Sequence, residues 1–311
     1  MSSHLSDIKK HFWPNLLTSL IPFRPARRAW RGILSMGLFE YIRQIKQDKN
    51  TNFENELTIA AIMKNEGPYI KEWLDFHILV GVNKFYLYDN GSTDNTAEIL
   101  KPYIDSGIVE YTYFPGRAQQ RPAYYDVINK HADDTRWMAL IDLDEFLVPV
   151  QHKTLPEFLH TLPRFSQLII SWVDYGSNGH ETKPDGLVIE NYTKHARYNW
   201  CVKSIINPRL ITYLGNPHYN NVAGPTIDEN GKKIARVNQQ HNPTTINKIR
   251  CNHYITKSHA EYIARCHLGD AGSGEKVKIF GRDPETNFQR FNKNEVHDSI
   301  MEKYVKKLKN L

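Results

Sequence analysis

Cysteine is scarce: Cys201, Cys251 and Cys266 are odd in number and widely spaced in 311 residues. That argues against a disulfide framework, and no CxxC pair suggests a structural zinc. The simplest expectation is a reducing, cytoplasmic compartment. Long hydrophobic runs are also missing, since no segment reaches the roughly 18 consecutive apolar residues of a membrane-spanning helix. The N-terminus does not read as a secretory signal, because His11, Pro14, Asn15, Pro22, Arg24 and Pro25 interrupt any apolar core. No GxGxxG follows the first apolar strand and no GxxxxGK[ST] occurs, which disfavours a Rossmann dehydrogenase and a P-loop nucleotidase.

What is present is an ordinary globular composition, 40% hydrophobic and 24% charged, enough for one large domain with appendages. The net charge of +6 sits in the first 50 residues, where nine Lys or Arg face Asp7, Glu40 and Asp48; the remainder balances at 31 against 31. The basicity therefore belongs to a leader, and no nucleic-acid partner is expected for the body. Within the leader, Trp30, Ile33, Leu34, Leu38, Tyr41, Ile42 and Ile45 recur at helical spacing, with Arg27, Arg28, Arg31 and Arg43 mostly off that stripe. Preceded by Phe12, Trp13, Leu16, Leu17, Leu20 and Ile21, this reads as a basic amphipathic element able to lie on an anionic membrane through residues 12–46. The alternative is that the stripe packs on the body and the arginines are solvated. The expected division is leader and linker 1–56, catalytic domain 57–275 and C-terminal helical tail 276–311. Val296, Ile300, Tyr304, Val305, Leu308 and Leu311 form the tail's helical stripe.

The body alternates strand and helix. Strands are expected at Leu57–Met63, Lys84–Tyr88, Val109–Phe114, Trp137–Ile141 and Leu168–Val173. Helices are expected at Tyr69–Val80, closed by Gly81, from Ser92 or Asp94 to about Ile104, and after Pro122. Such spacing predicts βαβ units and a mostly parallel sheet, whose ligands bind beyond the carboxyl ends of the strands. Three strand ends there are polar: Lys64-Asn65-Glu66-Gly67, Asp89-Asn90-Gly91-Ser92-Thr93-Asp94, and Asp142-Leu143-Asp144-Glu145. On extended chain Asp142 and Asp144 share one side, and crowded carboxylates need a cation; their hard oxygens suit Mg²⁺ or Mn²⁺. The bland reading makes them surface acids capping a following helix. Turn chemistry explains Asn90, Gly91, Ser92 and Asp94, but leaves Asp89 as a hydrogen-bond acceptor for a base or ribose.

The order NEG, YDNGSTDNT, FPGRAQQRPAYYD and WMALIDLDEFLVP resembles bacterial GT-A glycosyltransferases of the family 2-like and family 92 (DUF23-like) group, over about Leu57 to Asp270. The resemblance implies a GT-A fold, a Rossmann-like, mostly parallel mixed sheet with flanking helices. It also implies a nucleotide-sugar donor whose diphosphate is bridged by Mn²⁺ or Mg²⁺. Carried over by position, Asn65, Glu66 and Asp89 line the nucleoside pocket, and Arg117, Gln120 and Arg121 lie near the donor. Asp142 faces ribose or metal, and Asp144 coordinates the metal. His253, in NHYITKS, is the further metal ligand, and Lys257 lies near the diphosphate. For an inverting displacement, Asp174 is the first choice as catalytic base and His180 the second. The expectation is a transferase at the cytoplasmic membrane face, acting on a glycan or lipid-linked glycan in surface polysaccharide synthesis. The competing readings are a nucleotidyltransferase, disfavoured by the acidic MKNEGPY after the first strand, and a non-catalytic binding protein on a degenerate transferase fold.

Overall fold

The computed structural model describes residues 13–14, 16–48, 52–198, 201–237, 245–268 and 283–311. Phe12, residues 49–51 of the expected linker and the expected boundary at residues 275 and 276 lie outside them. After helical residues 13–14 and 16–19, the leader forms α1 (Arg24–Met36) and α2 (Leu38–Asp48), hinged at Gly37 in the positive-φ region. Gly32 lets α1 approach closely: a Cβ there would meet Ala223 and the Tyr41 ring under 3 Å. The leader sits on the body by its small and polar residues, with Gly32, Ser35 and Gln44 buried and Arg43 and Gln44 bonded to Asp133. Trp30, Leu34, Leu38 and Ile42 face solvent. Ile33, Tyr41 and Ile45 of the same stripe are half-buried, so the stripe is divided between the body and solvent.

β1 (Asn55–Met63), α3 (Gly67–Leu79), β2 (Lys84–Asp89), α4 (Thr96–Asp105), β3 (Val109–Tyr113), α5 (Gln120–His131) and β4 (Thr135–Leu140) follow as parallel βαβ units. Both faces of β1 are covered, which is why it reads as a continuous apolar run. Leu57, Ile59, Ala61 and Met63 pack with Ile70, Trp73 and Leu74 of α3, while Ala60 and Ile62 turn to Tyr124 and Val127 of α5. Gly81, at φ +99, ends α3 in the conformation expected of a C′ glycine.

After the acidic run the chain forms a strand, β5 (Glu145–Pro149), where the bland reading wanted a helix. Next come α6 (Leu155–His160), β6 (Gln167–Asp174), α7 (Val188–Asn191), β7 (Lys194–His195), β8 (Val202–Ile206), β9 (Ile211–Tyr213), β10 (Asn221–Val222) and β11 (Thr226–Ile227). They are followed by β12 (Ile249–His253), α8 (His259–Leu268), α9 (Pro284–Phe291), β13 (Val296–His297) and α10 (Glu302–Leu308). The main sheet has nine strands in the order β3-β2-β1-β4-β8-β6-β12-β5, with β11 joined to β6. Pairings are mainly parallel, with antiparallel joins at β4–β8, β8–β6 and β12–β5. This is the mixed, mainly parallel sheet with flanking helices expected of a GT-A fold. The tail differs from expectation: Val296 pairs with His195 as a strand, because Asp298 N–H is drawn to Thr193 O, and the helix spans only Glu302–Leu308. Tyr304 and Leu308 bury against the main core, where Tyr304 meets Phe76 edge-on, and Leu311 is exposed.

Candidate active site

The three polar strand ends fall on one sheet edge. Met63 is paired with Asp89 and Ala60 with Leu140, so the segments after β1, β2 and β4 leave side by side. The first two are laced together. Asn65, at φ +55, donates its N–H to Ser92 Oγ (2.9 Å), and its Oδ1 accepts Thr93 N–H (2.7 Å). Gly67 N–H donates to Asp94 (3.0 Å), and Glu66 N–H to Thr96 Oγ1 (3.0 Å). Asp89 is buried and accepts from Ser92 N–H and the Tyr111 hydroxyl, both at 2.7 Å. Both of its oxygens therefore have structural duties inside the loop.

The acidic run does not continue as extended chain. Glu145 N–H closes a turn onto Asp142 O (3.1 Å), and the Glu145 carboxylate accepts Asp142 N–H (2.9 Å). Asp142 and Asp144 consequently have separate partners. Asp142 accepts from Gln120 Nε2 (3.0 Å) and from Lys203 Nζ (2.8 Å), the latter also 3.2 Å from Glu145. Asp142, expected to face ribose or metal, therefore has one protein partner on each of its oxygens. Lys203 lies fully buried in β8. Burial works against its charge, but Asp142 and Glu145 outweigh it and hold the ammonium well above the usual lysine range. Burial, opposed by Lys203, pushes Glu145 up to about 7.

Asp144 is buried, and among the described residues its two oxygens have no hydrogen bond; Arg265 Nη1 lies at 3.1 Å and His253 Nε2 at 3.7 Å. Burial opposes its ionisation, yet Arg265 and then His253 hold it well below the usual carboxylate range. His253, paired with Asp174 in the parallel β6–β12 ladder, stacks on Trp172 at 4.0 Å and bonds Asp174 through Nδ1 (2.8 Å). Burial disfavours its protonation, but Asp144 and Asp174 lift the imidazole to about 10. Asp174, the first choice as catalytic base, thus lies in this cluster with one carboxylate oxygen on His253.

Lys257, at φ +45, is buried with its ammonium 4.1 Å from the Tyr69 ring centre. Burial, countered by Lys257, raises neighbouring Glu66 to about 7. The Tyr69 hydroxyl bonds Glu261, which also accepts from Tyr192 (2.9 Å). His180 packs edge-on against Tyr192, 5.7 Å between centroids. Glu261 and Ser258 form a reciprocal cap that starts α8 and so aims Arg265 at Asp144. Arg121, expected near the donor, reaches Leu214 O (3.0 Å) and the Tyr213 hydroxyl (3.2 Å). Arg117 is exposed on the loop before α5.

Lys203 and Arg265 were missed in the sequence. A lysine inside the apolar VKSII was the signal for the first, since a charge there needs a partner. For the second it was the SHAE cap three residues after Ile255-Thr256, which fixes the register of the following helix. Among the described residues no group of three His, Cys, Asp or Glu side chains is arranged to hold a metal. Asp144 and His253 are the pair whose chemistry fits one, provided that substrate oxygens complete the shell.

A family model for glycosyltransferase family 92 matches residues 60–308. A glycosyltransferase family 92 protein of rice (Oryza sativa subsp. japonica) is 25% identical over 190 residues, covering 60% of this chain and 32% of the rice protein. A galactan beta-1,4-galactosyltransferase of Arabidopsis thaliana, GALS3, is 31% identical over 132 residues, covering 38% of this chain and 26% of its own. The chain thus spans about a third of the length of the curated relatives it matches. Among solved structures, S. aureus TarS 1-349 overlaps 49% of this chain and 47% of its own at 14% identity, with a TM-score of 0.35.

Proposed function

The chain belongs to glycosyltransferase family 92, and on that premise we propose that it transfers a hexosyl group from a UDP-sugar to a hydroxyl of a glycan or lipid-linked glycan. The observation that carries this reading is the meeting of Asp144, His253, Arg265 and Lys257 at the carboxyl edge of the sheet. A departing nucleoside diphosphate gathers negative charge, and cations held in place before the reaction stabilise it without reorganisation. Arg265 offers a planar fork suited to phosphate oxygens, and Lys257 a point charge. Asn65 and Glu66, held in a loop stitched to the one after β2, are proposed to contact the nucleoside.

We propose Mn²⁺ or Mg²⁺ as cofactor, held by Asp144 and His253 together with donor oxygens. The fit rests on the buried, unbonded Asp144 oxygens and on the imidazole whose Nδ1 is secured by Asp174. When bound, the cation supplies further neutralisation of the diphosphate. With Asp174 engaged on His253, His180 is the proposed base for an inverting displacement, taking the acceptor proton as the hydroxyl attacks the anomeric carbon. A cytoplasmic, membrane-peripheral location belongs to the same proposal. The bacterial surface-polysaccharide setting rests on motif resemblance alone, since the matching relatives named above are plant proteins.

The test is donor binding and hydrolysis with UDP-, GDP-, CMP- and dTDP-sugars, UDP-galactose included, with and without Mn²⁺, on wild type and Asp144→Asn. Metal-dependent turnover of one donor, lost in the variant, is the expected result. If no donor binds and the variant behaves like wild type, the binding-protein reading replaces this one.

A further inference from the structure

The edge of the sheet opposite the active site carries a second concentration of charge. Arg24, Arg27, Arg28 and Arg31 of α1, with Arg236, line a cavity of about 260 Å³ between α1 and the segment around β11. No carboxylate lines it among the described residues. Three of the guanidiniums are braced by the protein: Arg27 on Ile21 O (2.7 Å), Arg28 on Ile234 O (3.0 Å) and Arg31 on Thr18 Oγ1 (3.4 Å). Each guanidinium has five N–H donors, so these bonds fix the side chains and leave donors for the cavity. Burial, and then their arginine neighbours, push Arg28 and Arg31 below the usual arginine range.

A second observation is independent of charge. Asn220, in the wall of the same cavity, is only 6% exposed, yet among the described residues neither its Oδ1 nor its Nδ2 has a partner. A buried amide without a partner costs free energy unless something polar meets it. Four arginines of α1, three of them braced, and an amide around a small cavity suit the oxygens of a phosphate group.

The apolar stripe of α1 lies beside this cavity. At 100° per residue, Phe23, Trp30 and Leu34 fall within about 40° of one another, and the four arginines take roughly the next 100°. Phe23 is 67% and Trp30 51% exposed, with Leu20 and Phe39 more exposed still. We propose that the cavity seats the phosphodiester headgroup of an anionic membrane lipid while Phe23 and Trp30 enter the acyl boundary, docking the chain on a bilayer by the edge opposite its active site. Apolar residues flanked by arginines match the layering of a bilayer surface. This site goes beyond the transferase reading and does not depend on it.

The test is co-sedimentation of the full chain with vesicles of phosphatidylcholine alone and of phosphatidylcholine mixed with phosphatidylglycerol. Calorimetric titration with inorganic phosphate and donor hydrolysis are run in parallel. Wild type is expected to bind the mixed vesicles and Arg28→Gln/Arg31→Gln to bind them about thirty-fold more weakly, with donor hydrolysis unchanged. Should that double variant unfold, the exposed Arg24→Gln decides, with a loss of roughly fivefold expected. Equal binding to neutral vesicles, binding of inorganic phosphate without vesicles, or variants that bind like wild type would each overturn the proposal.

Discussion

Lys203→Met is the most informative single substitution. The ammonium it removes is fully buried, 2.8 Å from Asp142 and 3.2 Å from Glu145, and Glu145 is itself without solvent contact. Methionine fills similar volume, so the cavity term is small and the loss is electrostatic. Breaking a buried ion pair from one side costs about 3–5 kcal/mol, since the carboxylates stay behind uncompensated. For a chain of this size that corresponds to a fall in Tm of roughly 5–8 °C. The sign with pH follows from Glu145, whose folded carboxyl burial already holds at about 7 against the opposing charge of Lys203. Without Lys203 that folded pKa rises further, so above about 7 the variant's folded chain keeps a proton that the unfolded chain has released, and this part of the destabilisation grows as pH rises beyond about 7. Denaturant unfolding of wild type and variant at about pH 6 and about pH 9 measures this, and adding Glu145→Gln should recover part of the loss at the higher pH. A loss below about 1 kcal/mol, or one that does not depend on pH, would refute the assignment of Lys203 as the obligatory counter-ion.

Asp174→Asn keeps the shape beside His253 but not the charge; Mn²⁺ affinity and donor turnover should fall about 10–100-fold, read by metal titration of the activity. His180→Ala should lower kcat by roughly 10²–10⁴ with donor binding unchanged, and an unaltered kcat would remove it as the base. His77 is fully buried between Trp73 O (2.8 Å) and Leu147 N–H (3.2 Å), and burial pushes its imidazole down to about 3. Below about 6.5 the unfolded chain takes up a proton that the folded chain refuses, so stability is complete above that pH and declines toward pH 3 by on the order of 4 kcal/mol. Urea midpoints across that range, flattened in His77→Gln, test it.

Much of the fold was legible because its signals are local. β1 and β4 are apolar runs bounded by polar ends, and α3 announces itself by Ile70, Trp73, Leu74 and Gly81. What was not legible depends on distant pairing. Glu145–Pro149 is a strand because β12 lies antiparallel to it, a partner a hundred residues away. Lys203 has meaning only once β8 has been inserted beside β4, and Asp174 becomes an orienting group only when β12 sets His253 opposite it. The leader's stripe was visible, but which side faced the body was decided by Gly32 and Ala223, too small to register in a hydrophobic pattern.

β6 runs from Gln167, in the wall of the arginine cavity, to Asp174 beside His253. Its seven steps at about 3.3 Å make a rigid spacer of roughly 23 Å. If the arginine edge rests on a bilayer, the catalytic edge opens about that far above it. A sugar joined directly to a lipid carrier then falls short of the donor, whereas the growing end of a chain several sugars long reaches it. On the proposed docking the strand would act as a ruler, favouring as acceptors glycans already begun over a sugar joined directly to its carrier.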